Sequence, residues 1–103
     1  MVGVYTDSGG SPAQLLGFAT INSPTAGAWN SAPLTVTVTS GQLYWLAILQ
    51  PANAAGTLGF RDGGSGTSVS SAQANLTALP AAYAAGATWT SGRMSAYLSA
   101  LSP

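Results

Sequence analysis

The chain has 103 residues, of which two are basic and two acidic, with no histidine, no cysteine and a formal charge of zero. Most general acids, bases, nucleophiles and metal ligands come from residue types that are missing or nearly missing here, so catalysis is the least expected role and no cofactor is expected. Two arginines do not make the basic surface that neutralises phosphates, which excludes nucleic acid and anionic membrane as natural partners.

A chain of this length supports one hydrophobic core, so residues 1–103 are expected to form a single domain. Without cysteine it must stand on packing and backbone hydrogen bonding. No apolar run approaches the ~18 residues of a membrane-spanning helix. The first ten residues lack the basic start and apolar stretch of a signal peptide, so export would use a signal outside this sequence.

Apolar residues recur with a period of two and are interrupted by turn formers, the pattern of short antiparallel strands. Residues 2–6 alternate Val2, Val4 and Thr6 with Gly3 and Tyr5, and Asp7-Ser8-Gly9-Gly10-Ser11-Pro12 reads as a turn. Residues 15–21 form the second predicted strand, ended by Asn22-Ser23-Pro24-Thr25-Ala26-Gly27. A stretch opening at Trp29 then alternates Leu34, Val36 and Val38 with Thr35, Thr37 and Thr39, giving one apolar and one hydroxylated face. Ser40-Gly41-Gln42 turns into residues 43–49, apolar on both faces and so expected as the central strand, buried on both sides.

Residues 57–61 are a shorter predicted strand, ended by Asp62-Gly63-Gly64-Ser65-Gly66, a flexible turn without the lysine of a phosphate loop. Residues 70–80 read as irregular, with at most one helical turn near Ala72 to Leu76. Residues 81–87 are alanine-rich but bounded by Pro80 and interrupted by Gly86, and so are expected as loop. The last predicted strand, residues 94–98, sets Met94, Ala96 and Leu98 opposite Ser95 and Tyr97. Six or seven short strands with little helix imply an all-β fold, a single antiparallel β-sandwich of jelly-roll type.

Few side chains carry chemistry. Asp7 and Asp62 precede Ser-Gly and Gly-Gly, where a carboxylate bonds the following amides and holds a turn. As calcium ligands they would make a weak cage, since that ion takes six to eight oxygens. Without histidine or lysine no serine triad or dyad can be built within the chain. Trp45 lies in the most apolar strand and belongs in the core, whereas Trp29 and Trp89 sit beside turns. With Asn30, these two are candidates for ligand contact, because a flat ring covers the apolar face of a sugar. Asn75-Leu76-Thr77 matches an N-glycosylation acceptor.

Val4-Tyr5-Thr6-Asp7-Ser8-Gly9-Gly10-Ser11-Pro12 with Leu15-Leu16, then Ala26-Gly27-Ala28-Trp29-Asn30, then Ser40-Gly41 with Tyr44-Trp45-Leu46-Ala47, resemble bacterial extracellular β-sandwich modules. Phe60-Arg61-Asp62 and the stretch from Ser71 to Pro80 extend the likeness along nearly the whole chain. Such modules are jelly-roll-like domains appended to large secreted or surface proteins, mostly of unassigned role. The resemblance implies an extracellular or cell-surface location. It also implies one or more strands before Val2 that this sequence lacks.

A sheet short of a strand offers unpaired backbone groups to another chain. The expectation is therefore a non-enzymatic structural module that self-assembles as a homo-oligomer or filament. Val2, Val4, Met94, Ala96 and Leu98 are the candidate residues for strand exchange between copies. The alternative is a carbohydrate-binding or adhesive module with glycans as partners.

Overall fold

The computed structural model describes residues 1–54, 59, 66–90 and 95–99. Over these residues the chain is all-β, without helix. Strands β1 (Val2–Ser8), β2 (Ser11–Ala19) and β3 (Tyr44–Ile48) form one antiparallel sheet in the order β2-β1-β3, and β4 (Ser68–Ser71) pairs antiparallel with β5 (Ala85–Trp89) in a second.

The first hairpin follows from its turn residues. Ser8 pairs with Ser11 around Gly9 and Gly10, whose φ angles are 60° and 87°. Two successive positive φ angles belong to the type I′ turn, whose twist matches that of the flanking strands and which glycine enters without a Cβ clash. The turn therefore lies inside the predicted loop, and β1 and β2 both run further into it than the alternation alone suggested. Pairing in register from Val2–Ala19 to Val4–Gly17 shifts at Tyr5–Leu15, which leaves Leu16 as an extra residue on β2. Such a bulge carries the residues on either side of it to opposite faces. A second shift follows before Asp7–Pro12, where the Gln14 N–H turns to the Thr6 hydroxyl at 3.0 Å.

Burial centres on β1. Among the described residues, the buried ones are Gly3, Val4, Tyr5 and Pro12. Alternation along β1 places Val4 on one face and Gly3 and Tyr5 on the other, so this strand is covered on both sides. On the Gly3 face, a side chain at that position would meet Leu79 Cδ1 at 2.6 Å and Leu15 Cδ1 at 3.3 Å. On the Val4 face, a side chain at its partner Gly17 would meet Val36 Cγ2 at 2.6 Å and the Thr35 carbonyl at 3.2 Å. The absent side chains at Gly3 and Gly17 let the covering segments approach.

The expectation of a central strand over residues 43–49 is corrected. β3 lies beside β1 at the edge of its sheet, with Leu43 73% and Leu46 37% exposed. Apolar residues on both faces of β3 reflect an outward face left uncovered, while the alternating, glycine-containing β1 takes the centre because two glycines let neighbours close over it.

Residues 34–37 keep their predicted alternation, with Leu34 and Val36 half-buried and Thr35 and Thr37 exposed, but Val38, expected on the apolar face, is exposed, and the stretch joins neither sheet ladder. Their inward side chains lie across Gly17 instead. The turn that follows is as read from Ser40-Gly41-Gln42. Gly41 has φ 85°, the Gln42 N–H donates to the Thr39 carbonyl at 3.2 Å, and the Thr39 N–H donates to Tyr44 Oη at 2.7 Å.

Residues 81–87, expected as loop and short of good strand formers, instead link the two sheets, with β5 running on to Trp89. The Leu15 N–H donates to the Ala81 carbonyl and the Tyr83 N–H to the Ala13 carbonyl, both at 2.8 Å. The next residue turns the other way, and the Ala84 carbonyl accepts from the Ala72 N–H at 2.8 Å. One edge of this run thus meets β2 and the other meets β4. Gly86 permits the second contact, because a Cβ there would sit 2.9 Å from the Ser70 carbonyl and 3.0 Å from that of Ser71. β4 itself begins two residues before the stretch 70–80 expected to be irregular and overlaps it at Ser70 and Ser71.

The predicted strand 94–98 does not form over residues 95–99, which belong to neither sheet; Met94 lies outside the described residues, as does the predicted strand 57–61 apart from Gly59. Alternation makes a strand only where a partner edge exists, and here the aromatic member turns to another ring. No helix among the described residues is long and apolar enough to cross a membrane, which says nothing of a β-barrel.

Candidate functional site

Four places hold the side chains that chemistry or recognition would need. The first is the sheet corner at Asp7. Its carboxylate accepts from the Gly10 N–H through Oδ2 at 3.3 Å and from the Trp45 indole N–H through Oδ1 at 2.9 Å. Both oxygens are engaged in fastening the hairpin turn to β3. Asp62, its suggested calcium partner, lies outside the described residues, and among the described residues no three acidic, histidine or cysteine side chains gather.

The second is a tyrosine pair inside the fold. The Tyr5 and Tyr83 rings meet edge to face, with centroids 5.2 Å apart and planes at 75°. Tyr5 Oη donates to the Pro80 carbonyl at 2.6 Å, and Tyr83 Oη donates to the Val69 carbonyl on β4 at 2.8 Å. Burial raises the pKa of Tyr5 above the ordinary tyrosine range, helped by the neighbouring Tyr83, and burial raises that of Tyr83. Two neutral phenols donating to carbonyls act as a joint between the segments that carry them.

The third is an open groove of about 270 Å³ lined by Leu49, Gln50, Ala52, Ser71, Gln73, Asn75 and Leu76. It lies where the Ala52 N–H reaches the Leu76 carbonyl at 2.8 Å. The Gln73 and Asn75 amides line it, and Ser71 Oγ accepts from the Gln73 N–H at 3.0 Å, but the volume is just below the ~300 Å³ at which pockets begin to enclose small molecules. Asn75 is exposed and has φ 60°, a left-handed conformation that asparagine tolerates in tight turns. The acceptor triplet Asn75-Leu76-Thr77 therefore stands on an open loop.

The fourth combines exposed apolar surface with a strand edge that has no partner strand among the described residues. The Leu49 N–H donates to the Met1 carbonyl at 2.8 Å and the Met1 nitrogen to the Leu49 carbonyl at 2.7 Å. Register continues without slip through Gly3–Ala47 and Tyr5–Trp45. In an antiparallel ladder every second residue faces the partner strand. Ala47 and Trp45 thus turn their backbone groups to β1, and those of Tyr44, Leu46 and Ile48 face away from it. Among the described residues no strand lies along that outer edge. Val2 and Val4, named for strand exchange, stand in the strand that is paired on both sides, whereas Ala96 and Leu98 are exposed and outside either sheet.

Of the aromatic candidates, Trp89 is exposed at the end of β5 and Trp29 is exposed in a loop. Trp29 has a partner the sequence did not suggest: the ring of Tyr97 meets it at 5.2 Å and 76°. Asn30 is occupied. Its Oδ1 accepts from the Thr25 N–H at 2.7 Å, and its Nδ2 donates to the carbonyls of Thr25 and Ala28, each at 3.0 Å. It braces the loop that displays Trp29 and has no spare amide hydrogen for a ligand.

Compared with known proteins, the chain matches no protein-family model, no curated protein and no solved structure.

Proposed function

We propose that this chain is a non-enzymatic structural module of an extracellular or cell-surface assembly, whose copies join through the outer edge of β3 to form an oligomer or fibre. The observation that carries the reading is that edge, with its outward backbone groups at Tyr44, Leu46 and Ile48 and its exposed Leu43 and Leu46. An open, apolar strand edge is a template for pairing with another chain. Proteins that stay monomeric commonly protect such edges with charge or proline, and this one carries neither in β3.

The strand that fills the edge is β3 of a second copy. Exchange of β1 would break two ladders inside the chain, whereas edge pairing breaks none. A two-fold pairing of β3 with its copy closes a dimer, and growth into a fibre needs a second contact. Leu16 and Phe18, exposed on β2, supply one. The assembled form we propose is a single jelly-roll-like antiparallel sandwich per chain, of six or seven short strands, continued across the interface. The composition agrees: 4% charged residues leave little repulsion between copies. The resemblance of the turn and strand motifs to extracellular modules supports the location.

Light scattering after size-exclusion chromatography tests this. The native chain is expected as a species well above 10.2 kDa at micromolar concentration. Leu46→Lys places a charge on the edge, and Leu46→Pro removes an outward N–H while leaving the bonds to β1. Both are expected to run as monomers with an unchanged β-type circular dichroism spectrum. A native chain that elutes as a 10.2 kDa monomer overturns the reading.

A further inference from the structure

We infer that Trp29 and Tyr97 form a binding site for a neutral sugar, on a surface separate from the β3 edge. Both rings are turned to solvent, at 69% and 70% exposure, although each is large enough to help close a core that has few buried residues. They nevertheless hold one another at right angles, and the loop that carries Trp29 is fixed by the three bonds of Asn30. An exposed indole on a braced loop is a preorganised surface, which lowers the entropy lost when something binds to it.

The chemistry of the corner selects the ligand. Two perpendicular rings offer one flat apolar wall and one edge, and a pyranose has a matching apolar C–H face with hydroxyls at its rim. Asn22, Ser23, Thr25 and Ser31 are all exposed in the same stretch of sequence, so hydroxyls and an amide are close in the chain to Trp29. Asp7, the one charged side chain among the described residues, is engaged with Trp45 and Gly10 and is not offered to a ligand at this corner. A second copy of the chain is the poorer occupant. The two rings together bury about 300–500 Å² at most, against ~800 Å² per partner in a stable protein interface.

The test is titration of the ¹⁵N-labelled Leu46→Pro chain with cellohexaose, chitohexaose, maltohexaose, xylohexaose and mannohexaose, following the three indole N–H signals. Saturable movement of the Trp29 signal with at least one oligosaccharide is expected, while those of Trp45 and Trp89 stay in place. Trp29→Ala and Tyr97→Ala are expected to weaken that binding by about tenfold or more, and Trp29→Phe to retain part of it. The same titrations on Trp89→Phe should match the parent. Failure of every oligosaccharide to move the Trp29 signal overturns the inference, as does movement of the Trp89 signal in its place. A concentration-dependent Trp29 shift without sugar would also overturn it, because the pair would then be a contact between copies. Oligomeric state is read on the unmodified chain, so failure at this site and failure of the β3 edge are distinguishable.

Discussion

Tyr5 and Tyr83 do the most to fix how the parts of the chain meet, since each packs its ring on the other and spends its hydroxyl on a carbonyl from another segment. Tyr5→Phe leaves the Pro80 carbonyl without its partner and is expected to lower stability by about 1–2 kcal/mol in urea unfolding. Both phenols are held neutral in the fold, with pKa values above the ordinary one, chiefly by burial. The unfolded chain ionises these groups from about pH 10, while the folded chain keeps its protons to higher pH. The folded state therefore binds more protons in that window, and stability falls as pH rises past about 10 and through the raised values. Below that range it is unaffected by them. A Tyr5→Phe/Tyr83→Phe double variant should show a shallower alkaline decline, followed by circular dichroism.

Gly86 is the other residue whose replacement reads out a specific contact. An added methyl would press on two backbone carbonyls of β4, atoms that cannot swing aside. Gly86→Ala is expected to destabilise by about 1–3 kcal/mol and to loosen the pairing of β4 with β5, visible as faster amide exchange at Val69 and Thr88.

At the scale of elements, the β1–β2 hairpin was legible in the sequence because its signals are local: alternating residues, then Asp-Ser-Gly-Gly. Replacing Gly10 by alanine, at φ 87°, should cost about 1–2 kcal/mol, measured by thermal unfolding, whereas the same change in an exposed extended stretch should be near neutral. The turn at Gly41 and the alternation of residues 34–37 were legible for the same reason. What composition could not reveal was which strand sits in the middle. Val2 to Thr6 showed ordinary alternation interrupted by a glycine, while residues 43–49 were apolar on both faces. Centrality was decided by partners distant in sequence, Leu79 over Gly3 and Val36 over Gly17. β5 was missed because Ala85, Gly86 and Ala87 have little strand preference of their own, and the pairing with β4 overrides it. At the candidate sites, the turn role of Asp7 was readable from the residues that follow it. The Trp29–Tyr97 contact spans most of the chain and leaves no local signal.

For the whole molecule, a chain that is 47% hydrophobic and 4% charged carries Leu16, Phe18, Leu43 and Leu46 on its surface. Isolated apolar residues on a surface are ordinary. Here, two of them accompany a strand edge that has no partner among the described residues and no charged residue within β3, and that combination is the basis for proposing association of copies. Association through this edge, as proposed, would leave the fold undisturbed, since β1 would keep both its ladders. The most direct test is amide hydrogen exchange at Leu46 over a range of protein concentration, with Ala47 as the internal reference because its N–H faces β1. Protection of the Leu46 N–H that rises with concentration while Ala47 stays protected throughout is the predicted result. Rapid exchange at Leu46 at every concentration, with Ala47 still protected, would contradict pairing through β3.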